Sequence, residues 1–188
     1  DKEGSRNWTV DGGEFVTQGI GTISRDVGLT EKFIIRFSIA WDNYLNFQFR
    51  FAEPKGDSVD TADRYMVQCI GSSFGIFRES SGNRNHLPIV VFNRSPEHLH
   101  DKRMDVEVRV DRSRGKLQLF IEGEKEGAYT DPLPSFPKGT GISLVGRAPQ
   151  ESSQRVGRIE VLEWDYSEDR HRAEDRGVGK SDSLIGRN

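Results

Sequence analysis

Lys32–Trp41 reads KFIIRFSIAW, in which Phe33, Ile35, Phe37, Ile39 and Trp41 recur at every second position. Arg36, Ser38 and Ala40 take the opposite parity. Successive side chains of a strand point to opposite faces, so this run is a strand with one dry side and one wet side. The same alternation returns in Leu45, Phe47, Phe49 and Phe51, set against Asn46, Gln48 and Arg50. It returns again in Tyr65, Val67 and Cys69, in Met104, Val106, Val108 and Val110, and in Leu117, Leu119 and Ile121. Turn signals such as Asp11-Gly12-Gly13 and Gly71-Ser72-Ser73 separate these runs. Thr22 to Ser24 reads as a continuation of the first sheet edge, and Pro96 to Lys102 as a single helical turn. With no repeat at a fixed period and no strand–helix alternation, the pattern describes an all-β, two-sheet antiparallel β-sandwich.

A chain of 188 residues suits one such unit. It buries about 70% of the surface its unfolded form exposes, enough for a core without staples. From Ser167 onward the residues turn charged and apolar ones thin out, so the reading is a sandwich over 1–166 and a polar tail or linker over 167–188. The net charge is −3 and the basic residues are scattered, which argues against nucleic acid as a partner. No apolar run approaches the ~18 residues of a membrane span. Cys69 is the only cysteine, so no disulfide forms within the chain, and its parity with Tyr65 and Val67 places it in the core rather than at a reactive site. The opening Asp1-Lys2-Glu3-Gly4 lacks an initiator Met and reads as a mature fragment or an excised domain.

The stretch VEVRVDRSRGKLQLFIEG, Val106 to Gly123, is a strand, a Gly-bearing turn, a second strand and a Glu-Gly turn. It resembles the central hairpin of the concanavalin A-like lectin/glucanase superfamily, which includes laminin G-like modules. The opening WTVDGGEFVTQGIGTISRDVGLTEKFIIRFSIAW and the closing GRIEVLEWD resemble a bacterial branch that contains the 3-keto-disaccharide hydrolase domains. Together the similar segments cover residues 8 to 166, and they are signatures of core and turn positions, not of a catalytic site. The resemblance implies a concanavalin A-like jelly roll with one curved face, on which relatives often bind glycans. It also implies an extracytoplasmic setting, tethered to further domains of the same polypeptide.

On that expectation the polar parity of the strands lines the curved face: Arg36, Ser38, Asn46, Gln48, Arg50, Gln68 and Arg78. Planar amides and guanidinium groups suit sugar hydroxyls because they offer paired, directional hydrogen bonds. Asn85, in the run Asn83-Arg84-Asn85-His86, would sit at the rim, and Tyr44 or Tyr65 would stack on a sugar's apolar face. Trp41 shares its parity with core residues and is read as core. For catalysis, Glu163 and Asp165 start a loose Glu-x-Asp-x-x-Glu spacing ending at Glu168, of the kind that retaining glycosidases use to set carboxyls about 5–5.5 Å apart. It falls at the end of the last strand, entering the polar tail. Asp57, Asp60 and Asp63 recur every third residue without the EF-hand pattern, and the four His (86, 98, 100, 171) show no zinc spacing. No cofactor is therefore expected, with calcium unsupported by a motif. The leading expectation is a non-catalytic carbohydrate-binding or interaction module, with a glycoside hydrolase and a ligand-free spacer domain as alternatives.

Overall fold

In the computed structural model, residues 7–54, 63–80, 83–94 and 101–166 are described. The strands are β1 (Trp8–Asp11), β2 (Glu14–Gln18), β3 (Ile20–Asp26), β4 (Lys32–Trp41), β5 (Asn46–Glu53), β6 (Arg64–Ile70) and β7 (Ser73–Ser80). They continue with β8 (Asn83–Asn93), β9 (Arg103–Asp111), β10 (Lys116–Ile121), β11 (Glu124–Thr130), β12 (Gly141–Arg147) and β13 (Ser153–Glu163). Among the described residues there is no helix. A larger sheet runs β1-β2-β13-β4-β9-β10-β11 and a smaller one β3-β12-β5-β6-β7-β8, every neighbouring pair antiparallel. The expected two-sheet sandwich is the observed architecture.

Phe33, Ile35, Phe37 and Ile39 of β4 meet Phe47, Phe49 and Phe51 of β5 across the interior, and all are buried. The Phe37 and Phe49 rings stack with centroids 4.4 Å apart, and Phe33 meets Phe51 edge-on at 6.1 Å. Each such side chain contributes about 1.5–3 kcal/mol of burial free energy, and offset or edge-on rings add to it. Val106, Val108, Val110, Leu117 and Leu119 extend this core under β9 and β10. The half-buried Trp41 packs against it, as its parity indicated.

Some boundaries and assignments differ from the sequence reading. β3 does not continue the first sheet edge; it belongs to the smaller sheet, paired with β12. Gly19, between β2 and β3, takes a left-handed φ of +80°, where the chain passes from one sheet to the other. β8 begins at Asn83, so the run Asn83–His86 expected at the rim belongs to a strand, and its pairing with β7 carries two register shifts. The segment read as a helical turn lies mostly outside the described residues, as does the tail from Ser167.

Arg112 fastens the loops at one end of the sandwich. Its guanidinium donates to the carbonyls of Leu29 (2.8 Å), Pro137 (3.1 Å), Gly139 (2.8 Å) and Thr30. At the opposite end Asp42 Oδ1 accepts from Asn43 N at 2.6 Å and Ser153 N at 2.8 Å, joining the β4–β5 and β12–β13 connections.

Candidate functional site on the smaller sheet

Because Phe47, Phe49 and Phe51 turn inward, Gln48 and Arg50 must turn outward. Antiparallel partners directly opposite share a face, so pairing carries this side across the sheet: Gln48 opposes Gln68, and Gln68 opposes Gly75. One step along, Arg50 opposes Met66, and Met66 opposes Phe77. Arg50 Nε and Nη2 donate to Gln48 Oε1 at 3.2 and 3.0 Å, and Gln48 Nε2 donates to Gln68 Oε1 at 3.2 Å. The result is a row of three planar polar groups, each oriented by the next. Gln48 is 2% and Arg50 7% exposed, while Gln68 is half-buried. Burial, followed by repulsion from Arg64, lowers the Arg50 pKa from its ordinary value.

Phe77 is the residue that sequence reasoning missed. A Cβ on Gly75 would stand 2.7 Å from Phe77 Cε2 and 2.7 Å from Val90 O. The missing side chain therefore makes room for the Phe77 ring to lie along β7 beside the Gln48–Gln68 row. The signal was present in Phe74-Gly75-Ile76-Phe77, where a glycine and a phenylalanine share the outward parity. Below Phe77, Arg64 binds Glu79 and also Glu53 (3.2 Å), and His86 Nε2 lies 2.9 Å from Glu79 Oε1. The His86 ring meets Phe77 edge-on at 6.4 Å.

The other expected site residues scatter. Arg36 and Ser38 lie on β4, hence on the larger sheet, because alternation identifies a face without saying which sheet it belongs to. Arg78 points inward, since it opposes Tyr65 and shares the parity of Phe74 and Ile76. It is fully buried (0% exposed), with Nε 3.2 Å from Asp131 Oδ2 and Nη2 2.8 Å from Asp63 Oδ1. Tyr65 is also core: its hydroxyl donates to Asp131 Oδ2 at 2.6 Å, and burial with this partner pushes the phenol pKa far up. It offers no stacking surface. Tyr44 is exposed in the β4–β5 connection, at the sandwich end rather than on the row. Asn46 is half-buried at the start of β5. Asn85 falls on β8, with its side chain outside the described residues.

Glu163 ends β13 on the larger sheet and Asp165 follows it, both exposed, with the buried Trp164 between them. Glu168 lies outside the described residues. A different pair of carboxylates comes together on the larger sheet's outer face. Arg36 Nε donates to Glu107 Oε2 at 2.7 Å and Nη1 lies 3.7 Å from Glu160, beside a cavity of 220 Å³. A bulge in β13, with Arg158 at φ +50°, shifts the register and brings Glu160 opposite Arg36, which no local pattern announces. Burial works against the Glu107 charge, yet hydrogen bonds from Arg36 and Arg109 hold its pKa below the usual carboxylate value. A carboxylate kept ionised between two guanidinium groups is suited to an ion pair, not to donating a proton.

Of the calcium candidates, Asp57 and Asp60 lie outside the described residues, and Asp63 is paired with Arg78. Among the described residues no cluster of His, Cys, Asp or Glu is arranged to hold a metal. Cys69 is fully buried and its thiol is pushed up to about 12, so it is no nucleophile at neutral pH. No helix among the described residues is long and apolar enough to cross a membrane.

No protein-family model matches the sequence, and no curated protein matches it. The fold is similar to that of the botulinum neurotoxin type G receptor-binding domain, with a TM-score of 0.60 at 15% identity over 90% of this chain. It is similar to the carbohydrate-binding module CBM66 from Bacillus subtilis, with a TM-score of 0.55 at 10% identity over 82% of this chain and 90% of that one. It is also similar to the carbohydrate recognition domain of Emp46p in its potassium-bound form, with a TM-score of 0.61 at 11% identity over 84% and 86% of the two chains. The chain spans less than half of the receptor-binding domains it matches, 39% of one and 44% of the type G domain. At such identities the likeness is one of fold: the two-sheet β-sandwich is shared with domains named for carbohydrate or receptor binding.

Proposed function

We propose that this chain is a non-catalytic carbohydrate-binding module whose ligand face is the outer side of the smaller sheet. The observation that carries the reading is the oriented row Arg50–Gln48–Gln68 lying beside an aromatic ring, Phe77. Sugars present hydroxyls around their edge and C–H groups on their face. A row of planar polar groups with an aromatic neighbour matches both. Similarity to CBM66 and to the Emp46p domain over most of their length supports the choice. In this reading the chain is one domain of a larger extracytoplasmic polypeptide, in keeping with its resemblance to the bacterial branch of the concanavalin A-like superfamily.

A glycan array followed by calorimetry tests it. Wild type binds at least one glycan class, and Gln48→Ala together with Phe77→Ala weakens that binding about tenfold or more, the loss of one charged or two neutral hydrogen bonds and a stacked ring. Binding unaffected by both substitutions removes the assignment. A second reading, hydrolysis of a disaccharide as in the branch it resembles, draws on Glu107 and Glu160 meeting at Arg36 beside a cavity. Release of reducing sugar that disappears in Glu107→Gln and Glu160→Gln would favour it over the binding module.

A further inference from the structure

Four arginines are buried among the described residues: Arg50, Arg64, Arg78 and Arg109. Three have a carboxylate in ion-pair contact: Arg64 has Glu53 and Glu79, Arg78 has Asp63 and Asp131, and Arg109 has Glu107. Arg50 has none among the described residues. Its Nε and Nη2 both rest on the neutral amide oxygen of Gln48, at 3.2 and 3.0 Å. The nearest acids are already engaged, since Glu53 and Glu79 bind Arg64, and Glu79 also faces His86. Burial first, and then repulsion from Arg64, lower the guanidinium pKa against the opposing fields of Glu79 and Glu53.

A charge at 7% exposure without a counter-ion is costly to hold in the free protein, and an anion supplied from outside relieves that cost. From this we infer that the ligand of the smaller-sheet face is an acidic glycan, its carboxylate or sulfate pairing with Arg50 while Gln48 and Gln68 hydrogen-bond the neighbouring hydroxyls. The inference rests on the glycan-binding reading and specifies its chemistry. Guanidinium is the fitting group, because its fork matches a planar carboxylate or two oxygens of a sulfate, and it stays charged when partly desolvated. The same observation explains why a buried arginine sits on this face: it serves the bound state at the expense of the free one, as functional sites commonly do.

Calorimetry with the full chain separates the sources by using three probe sets: oligogalacturonate for carboxylate, dextran sulfate oligosaccharides for sulfate, and neutral galactan, mannan and glucan oligosaccharides. The expected result is binding to one of the acidic sets that weakens as salt rises. Arg50→Gln should lose roughly ten- to a hundredfold of that affinity, with partial recovery in Arg50→Lys. Thermal unfolding gives an arm independent of any ligand: Arg50→Gln is expected to hold or raise Tm, because it removes an uncompensated charge. Binding to neutral oligosaccharides alone overturns the inference and leaves the glycan-binding reading standing. Binding to none of the probes, with none found on a glycan array, overturns both. A Tm lowered by several degrees in Arg50→Gln also overturns it, since Arg50 would then be holding the sheet together rather than waiting for an anion.

Discussion

Replacing Arg78 with methionine removes one of the fully enclosed charges among the described residues. The guanidinium is 0% exposed, lies 3.2 Å from Asp131 Oδ2 and 2.8 Å from Asp63 Oδ1, and sits 5.3 Å over the Tyr65 ring. It also donates to the carbonyls of Glu79 at 3.1 Å and Ser135 at 3.0 Å, and so ties β7 to the β11–β12 connection. Without it Asp131, its side chain fully buried, keeps among the described residues only the Tyr65 hydroxyl (2.6 Å) and Leu133 N (2.9 Å) as partners. Stripping one member from a buried pair costs about 3–5 kcal/mol, most of it the uncompensated charge left behind. For a chain of this size about 2–4 °C of Tm follows each kcal/mol, so the variant should unfold about 6–20 °C lower. The double variant Arg78→Met with Asp131→Leu removes both charges, and much of the loss should return. Urea unfolding of the two single variants and the double closes the cycle, with an unchanged m-value certifying that the folded state is comparable. A single-variant cost below about 1 kcal/mol, or strictly additive losses in the double, refutes the argument that this pair is mutually dependent.

Three further outcomes follow from the same geometry. Glu107 and Asp111 both have folded pKa values below their ordinary ones: burial opposes this, but Arg36 and Arg109 hold Glu107, and Ser113, Tyr166 and Lys32 hold Asp111. A depressed folded pKa stabilises above the unfolded value and is lost as pH falls through the folded one, so Tm should be flat from about pH 7 to 5 and fall below about pH 4; a Tm that rises on acidification contradicts it. Gly75→Ala places a methyl 2.7 Å from both Phe77 Cε2 and Val90 O, so it should cost about 1–3 kcal/mol and disturb glycan binding by lifting the Phe77 ring; unchanged stability in chemical denaturation opposes this. Cys69, buried with its thiol pushed up to about 12, should react with a thiol reagent only at the rate of unfolding, and rapid labelling of native protein would show otherwise.

Most strands were legible because their apolar residues keep to one parity: Phe47, Phe49 and Phe51 on one side of β5 oblige Gln48 and Arg50 to take the other. β7 was not legible in this way, since Phe74 and Ile76 compete with Phe77 for the apolar parity, and Arg78 was assigned to the wrong side. A charged residue inside the core is intelligible only once Asp131, 53 positions later, is brought against it. Which sheet a strand joins is set by pairing across the chain, so Arg36 and Gln48 could look like neighbours while lying on opposite sides of the sandwich. Glu160 reached Arg36 only through the bulge at Arg158, a local register change that hydropathy does not encode.

A glycan bound to this sandwich should touch the outer side of the smaller sheet. A titration followed by ¹H–¹⁵N correlation spectra, using whichever oligosaccharide the array selects, reads this residue by residue. The prediction is that shifts concentrate in the side-chain amides of Gln48 and Gln68 and in the backbone amides of Gly75 and Phe77. Shifts confined to Arg36, Glu107 and Glu160 on the larger sheet, or to Asp42–Tyr44 at the sandwich end, contradict it.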